Sequence, residues 1–84
     1  MNHYATPDFR RSYRKLPPET QRTADKNFRL LAENPHHPSL HFKKIGGDLW
    51  SVRIGRRYRA LATMEGDDYV WFWIGTHAEY DKLV

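Results

Sequence analysis

Cysteine is absent from the 84-residue chain. That excludes a disulfide framework and any cysteine-bearing zinc site, and it is compatible with a reducing compartment. Long apolar runs are absent as well. No stretch approaches the roughly 18 apolar residues of a membrane span, and the opening MNHYATPDFRR lacks the apolar core of a signal peptide. The chain is therefore expected to be soluble and cytoplasmic, with no membrane partner. There is no internal repeat and no low-complexity tract, so residues 1–84 are expected to form one domain. Acids are scarce in the front half: residues 1–44 carry nine Lys or Arg against four Asp or Glu, and residues 45–84 five against six. The net charge is +4. Such a surface favours a polyanionic partner, either nucleic acid or an acidic protein segment.

Aromatic residues are plentiful at 14%. A domain this short buries a modest share of its surface and needs dense packing of that kind. Phe9, Tyr13 and Leu16 recur at helical spacing, with Arg10, Arg11, Arg14 and Lys15 on a solvated face. Pro7 and Asp8 stand where such a helix starts, and Leu16-Pro17-Pro18 ends it. Pro18 opens a second helix whose stripe is Ala24, Phe28 and Leu31, helped by Leu30, and Asn34-Pro35 stops it. The period then becomes two. Leu40 to Ile45 reads as a strand. Trp50, Val52 and Ile54 alternate with Ser51 and Arg53, which predicts a half-buried strand exposing the serine and the arginine. After the turn Gly55-Arg56-Arg57, Tyr58 to Met64 is the next strand, and Tyr69 to Ile74 is apolar on both faces, as a covered strand is. The expected fold is α+β: two antiparallel N-terminal helices packed on one face of a three- to four-stranded antiparallel sheet, with a short C-terminal helical turn.

Two constellations carry chemistry. Thr76-His77-Ala78-Glu79 matches a capping box, so a helical turn starts after Gly75 and puts His77 and Tyr80 on neighbouring positions of one face. In the sheet, Arg53 and Arg59 are expected on a common face. Two adjacent arginines repel unless an anion lies between them, and phosphate fits guanidinium forks bidentately; the alternative is a solvated sheet face. His36, His37 and His41 lack a carboxylate or cysteine at ligand spacing and are expected on a loop surface, with no metal. Trp71-Phe72-Trp73 could stack bases, but core packing is the expectation in so small a domain.

In order, LPPETQRTADKNFRLLAENPHHPSLHFKKI, WSVRIGRRYRAL and WIGTHAEYDKLV resemble the RelE/ParE superfamily of type II toxins, above all the subset with a terminal His-x-x-Tyr. The likeness runs from about Phe9 to Leu83. It implies the toxin of a toxin–antitoxin system, in many members a ribosome-dependent endoribonuclease that inhibits translation by cutting mRNA through 2′-OH attack, with no cofactor. The implied partners are mRNA, the ribosome and an acidic, partly disordered antitoxin. Carried over by position, Arg53 binds phosphate, Arg59 stabilises the transition state, and His77 and Tyr80 complete the catalytic set. Lys43, Lys44, Arg56 and Arg57 fall to RNA binding. Ser51 stands where several ribonucleolytic members carry another charged residue. The segment before Pro7 is short, so the family's first strand is expected to be abbreviated or missing.

The residue types suit that reaction, which needs a base for the 2′-OH, a proton for the 5′-oxygen and positive charge at phosphorus. Arginines act as fixed charges, and histidine is the side chain among them that titrates near neutrality. Between His77 and Tyr80 the acid and base roles stay open at this point. A gyrase-poisoning toxin of the same fold, for which His-x-x-Tyr is not required, and an inactive antitoxin-binding relative are the alternatives.

Overall fold

A computed structural model describes residues 2–84. One five-stranded sheet runs in the order β1-β5-β4-β3-β2, with β1 His3–Ala5, β2 Lys43–Gly46, β3 Leu49–Ile54, β4 Tyr58–Glu65 and β5 Asp68–Thr76. Helices α1 (Pro7–Arg14) and α2 (Pro18–Glu33) come first, and α3 (His77–Leu83) closes the chain. The α+β architecture stands, but the sheet is mixed and larger than expected. β1 pairs parallel to β5, with His3 opposite Tyr69 and Ala5 opposite Trp71, while every other pairing is antiparallel. The first strand is therefore short but present.

Local chemistry sets the helix bounds. Thr6 caps α1 by accepting the Phe9 amide on its hydroxyl at 3.1 Å, and Pro7 occupies the first turn, where no amide partner is needed. The elbow to α2 is held by Gln21, whose amide donates to the carbonyls of Tyr13 and Leu16, and by the Tyr13 hydroxyl, which donates to Asp25 at 2.6 Å. The expected strand from Leu40 to Ile45 is divided. Pro38–Leu40 forms a 3-10 turn, His41 takes a left-handed conformation at φ 43°, and only then does β2 begin. Leu40 ends the 3-10 turn and is fully buried, and the left-handed His41 breaks the extended run before β2.

Val52, Ile54, Ala60, Ala62, Tyr69, Trp71 and Ile74 face the two long helices and meet Phe9, Ala24 and Leu31. Trp71 is the hub. Its ring meets Phe28 edge-on at 5.0 Å between centroids, and its indole N–H donates to His3 Nδ1 at 3.0 Å. The run Trp71-Phe72-Trp73 is not uniformly core. Leu61 pairs with Trp73 and Ala62 with Trp71, so Phe72 is the extra residue of a β-bulge and lies 36% exposed.

His3 ties β1 into this core by stacking on Tyr69 at 5.2 Å and accepting from Trp71. Burial pulls its pKa below the ordinary 6.5. The unfolded chain then takes up the proton first as pH falls. The contribution of His3 is therefore complete above about 6.5 and is lost as pH falls through the folded-state value. The expected result is a drop in the urea midpoint between pH 7 and pH 5 that is shallower in His3→Phe; parallel pH profiles for the two proteins would contradict it.

Candidate active site

The sheet's second face carries the predicted residues, and strand register fixes which of them meet. Lys43, Ser51, Leu61 and Trp73 form one row across β2, β3, β4 and β5, and Arg53, Arg59 and Gly75 form the next. The missing side chain at Gly75 leaves room for the Trp73 ring. A Cβ there would lie 2.5 Å from Trp73 Cζ2 and 3.1 Å from a Glu79 carboxylate oxygen. Gly75→Ala is accordingly expected to cost about 1–3 kcal/mol through overpacking, measured by chemical denaturation.

Arg59 sits at the centre of this face and is 9% exposed. One guanidinium nitrogen, Nη1, donates to Ser51 Oγ at a long 3.4 Å, and its Nε has no partner among the described residues. The guanidinium carbon lies 5.1 Å from the centroid of the Tyr80 ring, a cation–π contact. Arg59 thus does not belong to a solvated face. Ser51, expected to be exposed, is fully buried, because it lies in the row beside Arg59 and serves as its acceptor.

Helix α3 brings Tyr80 and His77. The capping box forms in full: Thr76 Oγ1 accepts the Glu79 amide at 3.1 Å, and Glu79 accepts the Thr76 amide at 2.9 Å. The Thr76 amide and the Thr76 hydroxyl, both donating to the Glu79 carboxylate at 2.9 Å, hold it below its ordinary pKa. The expected terminal turn extends to seven residues of helix. Tyr80 is buried against the sheet, whereas His77 is exposed at the rim, its ring 5.9 Å from that of Tyr80. His77 Nδ1 bonds Asp81 Oδ2 at 3.1 Å. Since the carboxylate can only accept, Nδ1 carries the proton, and in the neutral ring Nε2 keeps its lone pair. The sequence reading missed Asp81 as this partner, although its four-residue spacing from His77 on a helix signals it.

Arg53 departs from expectation. It is the register partner of Arg59, but its guanidinium turns away, with Nε donating to Gly55 O at 3.0 Å and Nη1 lying 3.4 Å from His41 Nε2. The reason is the end of β2, which covers β3 only as far as Ser51 and leaves the edge at Arg53 open. The two arginines therefore do not clamp one anion in this conformation. Lys43, opposite Ser51, shares the face of Arg59, while Lys44, opposite Trp50, is directed to the other side. Arg56 and Arg57 are exposed in the β3–β4 turn, and the Arg57 carbonyl accepts the His77 amide at 2.6 Å, joining that turn to the start of α3. Arg59, Ser51, Tyr80 and His77 are thus brought together, with Lys43 in the adjoining row. Such a centre can hold negative charge over a buried guanidinium and accept a proton at its rim.

Comparison with known proteins places this geometry. A family model described as ParE-like toxin domain matches residues 18–82. No curated protein matches by sequence. Among solved structures, the fold is similar to a chain of the RelB-RelE antitoxin-toxin complex from Methanococcus jannaschii, with a TM-score of 0.74 at 15% identity over 96% of this chain and 99% of that one. It is similar also to the YoeB/ParE toxin from Agrobacterium tumefaciens, with a TM-score of 0.68 at 15% identity over 92% and 99% of the two chains. For the isolated RelE toxin of E. coli the TM-score is 0.67 at 13% identity over 96% and 93%.

Proposed function

Since the chain belongs to the ParE-like toxin domain family, we propose that it is the toxin of a type II toxin–antitoxin system that cleaves mRNA in translating ribosomes. Arg59 carries this reading. A guanidinium that is almost wholly buried, has an unpartnered Nε and makes no ion pair with a carboxylate among the described residues is suited to an anion that arrives from outside. The phosphodiester supplies one. Its charge rises as the 2′-oxygen attacks, so an arginine held in place beforehand stabilises the transition state more than the ground state.

His77 is the base of this mechanism. Asp81 fixes the proton on Nδ1, and Nε2 takes the proton of the 2′-OH. The 2′-oxygen then bonds to phosphorus while the bond to the 5′-oxygen breaks, and the departing 5′-oxygen takes a proton from solvent. The products are a 2′,3′-cyclic phosphate and a 5′-hydroxyl. Tyr80 positions Arg59 through its ring face, and Lys43 guides the RNA backbone along the next row. The partner that restrains the toxin is an acidic antitoxin segment lying on the basic surface, a role supported by the similarity to RelB-RelE complexes.

The test is to add the protein to translating ribosomes and map mRNA ends. Cuts that leave cyclic phosphate, and that fall at least about 100-fold in His77→Ala, are the expected result. Intact mRNA accompanied by an SOS response on induction would replace this reading with gyrase poisoning, and unaffected growth would leave only antitoxin binding.

A further inference from the structure

Arg53, turned away from Arg59, belongs to a second basic cavity at the open edge of β3. The cavity measures about 540 Å³, and its lining includes Lys26 and Asn27 of α2, His37 and Ser39 of the following loop, and Arg53 and Arg56. Among the described residues no carboxylate lines it. Three permanent cations thus share one concavity with no counter-charge of the protein's own, an arrangement that costs energy until an anion arrives.

The donors are held in place. Asn27 Nδ2 donates to the Arg53 carbonyl at 2.9 Å, which fixes the uncovered end of β3 to α2. Arg53 Nε donates to Gly55 O at 3.0 Å, which fixes the orientation of a guanidinium that lines the cavity. His37 Nδ1 accepts from the Ser39 amide at 3.2 Å, and this puts the imidazole proton on Nε2 as a donor. His41, outside the lining, lies 3.4 Å from the Arg53 guanidinium and reports on its position.

We propose that this cavity is an accessory phosphate-binding subsite for an oligoribonucleotide, separate from the Arg59 centre. The proposal rests on the RNA reading above for the identity of its ligand, while its chemistry, a phosphate held by Lys26, Arg53, Arg56 and His37, can be tested without it. Arg53 and Arg59 form one cross-strand pair whose guanidinium groups diverge. An RNA strand with a phosphate at Arg59 therefore passes onto the sheet edge, where the second site receives another.

The experiment follows the histidine ring signals by NMR during titration with inorganic phosphate, a 5′-phosphorylated trinucleotide and its 5′-hydroxyl counterpart. The signals of His37 and His41 should shift and saturate, and those of half-buried His3, which does not line the cavity, should not. Lys26→Gln, at an exposed helix position, should weaken the effect about tenfold through loss of one charge-assisted bond, while Arg59→Met should leave it in place. Tighter binding of the 5′-phosphorylated oligomer identifies a terminal phosphate as the ligand, and equal binding of the two identifies the backbone diester. Absence of a saturating shift with any of the three, or equal shifts in Lys26→Gln, would overturn the subsite. If phosphate binds there but mRNA stays intact on ribosomes, the subsite stands and the ribonuclease reading falls.

Discussion

Arg59→Met is expected to abolish mRNA cleavage and at the same time to stabilise the fold. On the catalytic side, removing a preorganised positive charge at the phosphorane lowers turnover by about 10²–10³-fold. On the stability side, the wild-type side chain is an expense. Its Nε is buried without a partner, and its one hydrogen bond to Ser51 is stretched to 3.4 Å. An unsatisfied buried donor costs about 1–3 kcal/mol, and the cation–π contact with Tyr80 offsets about 0.5–2 kcal/mol of that. Methionine fills a similar volume with no polar atom to desolvate. A net gain of about 1 kcal/mol corresponds to a Tm rise of roughly 4–8 °C in a domain of this size. Measuring both quantities on one purified variant separates the possibilities: a more stable protein that still cuts mRNA removes Arg59 from the reaction, and a less stable one shows that Arg59 is structural. Stability surrendered for an anion site is the expected mark of a functional centre.

Segments with a sustained period and explicit stop signals were legible from sequence. The Phe9-Tyr13-Leu16 stripe between prolines, the Trp50-Val52-Ile54 alternation and the Thr76-to-Glu79 box all appear as read. β1 was not legible. His3-Tyr4-Ala5 is too short to show a period, and its register partner Tyr69 lies 66 positions away, so no local pattern announces a parallel edge strand. At the candidate site, the common face of Arg53 and Arg59 follows from counting outward from the Gly55 turn. The divergence of their side chains does not, because it depends on where β2 stops covering β3. Burial of Ser51 was hidden for a related reason. Strand alternation assigns a face, but only tertiary packing decides whether α3 lies over that face. The four-residue spacing of Asp81 from His77 is a signal that the sequence itself carries.

Trp71→Ala is expected to remove about 3–5 kcal/mol of stability, whereas Phe72→Ala one position along is expected to be nearly silent. The chain has 84 residues, and at roughly 0.05–0.15 kcal/mol per residue its whole stability is about 4–13 kcal/mol. Truncating a buried tryptophan costs about 3–5 kcal/mol. Trp71 is 2% exposed and touches Phe28, Phe42 and His3, so the cavity would open where α2 and β1 both meet the sheet. The loss also strands the His3 acceptor that its indole N–H satisfies. Phe72, expelled by the bulge to 36% exposure, makes no comparable contacts, and surface substitutions of this kind stay within about 0.5 kcal/mol. Urea unfolding of the two variants measures the contrast. Equal losses would mean that β5 runs without the bulge, and Phe72 and Trp73 would then exchange faces. Because Trp73 packs on Gly75, the register partner of Arg59, that same shift would dismantle the candidate site. The pair of alanine variants therefore tests the placement of Arg59 and Tyr80 through residues that lie outside the candidate site.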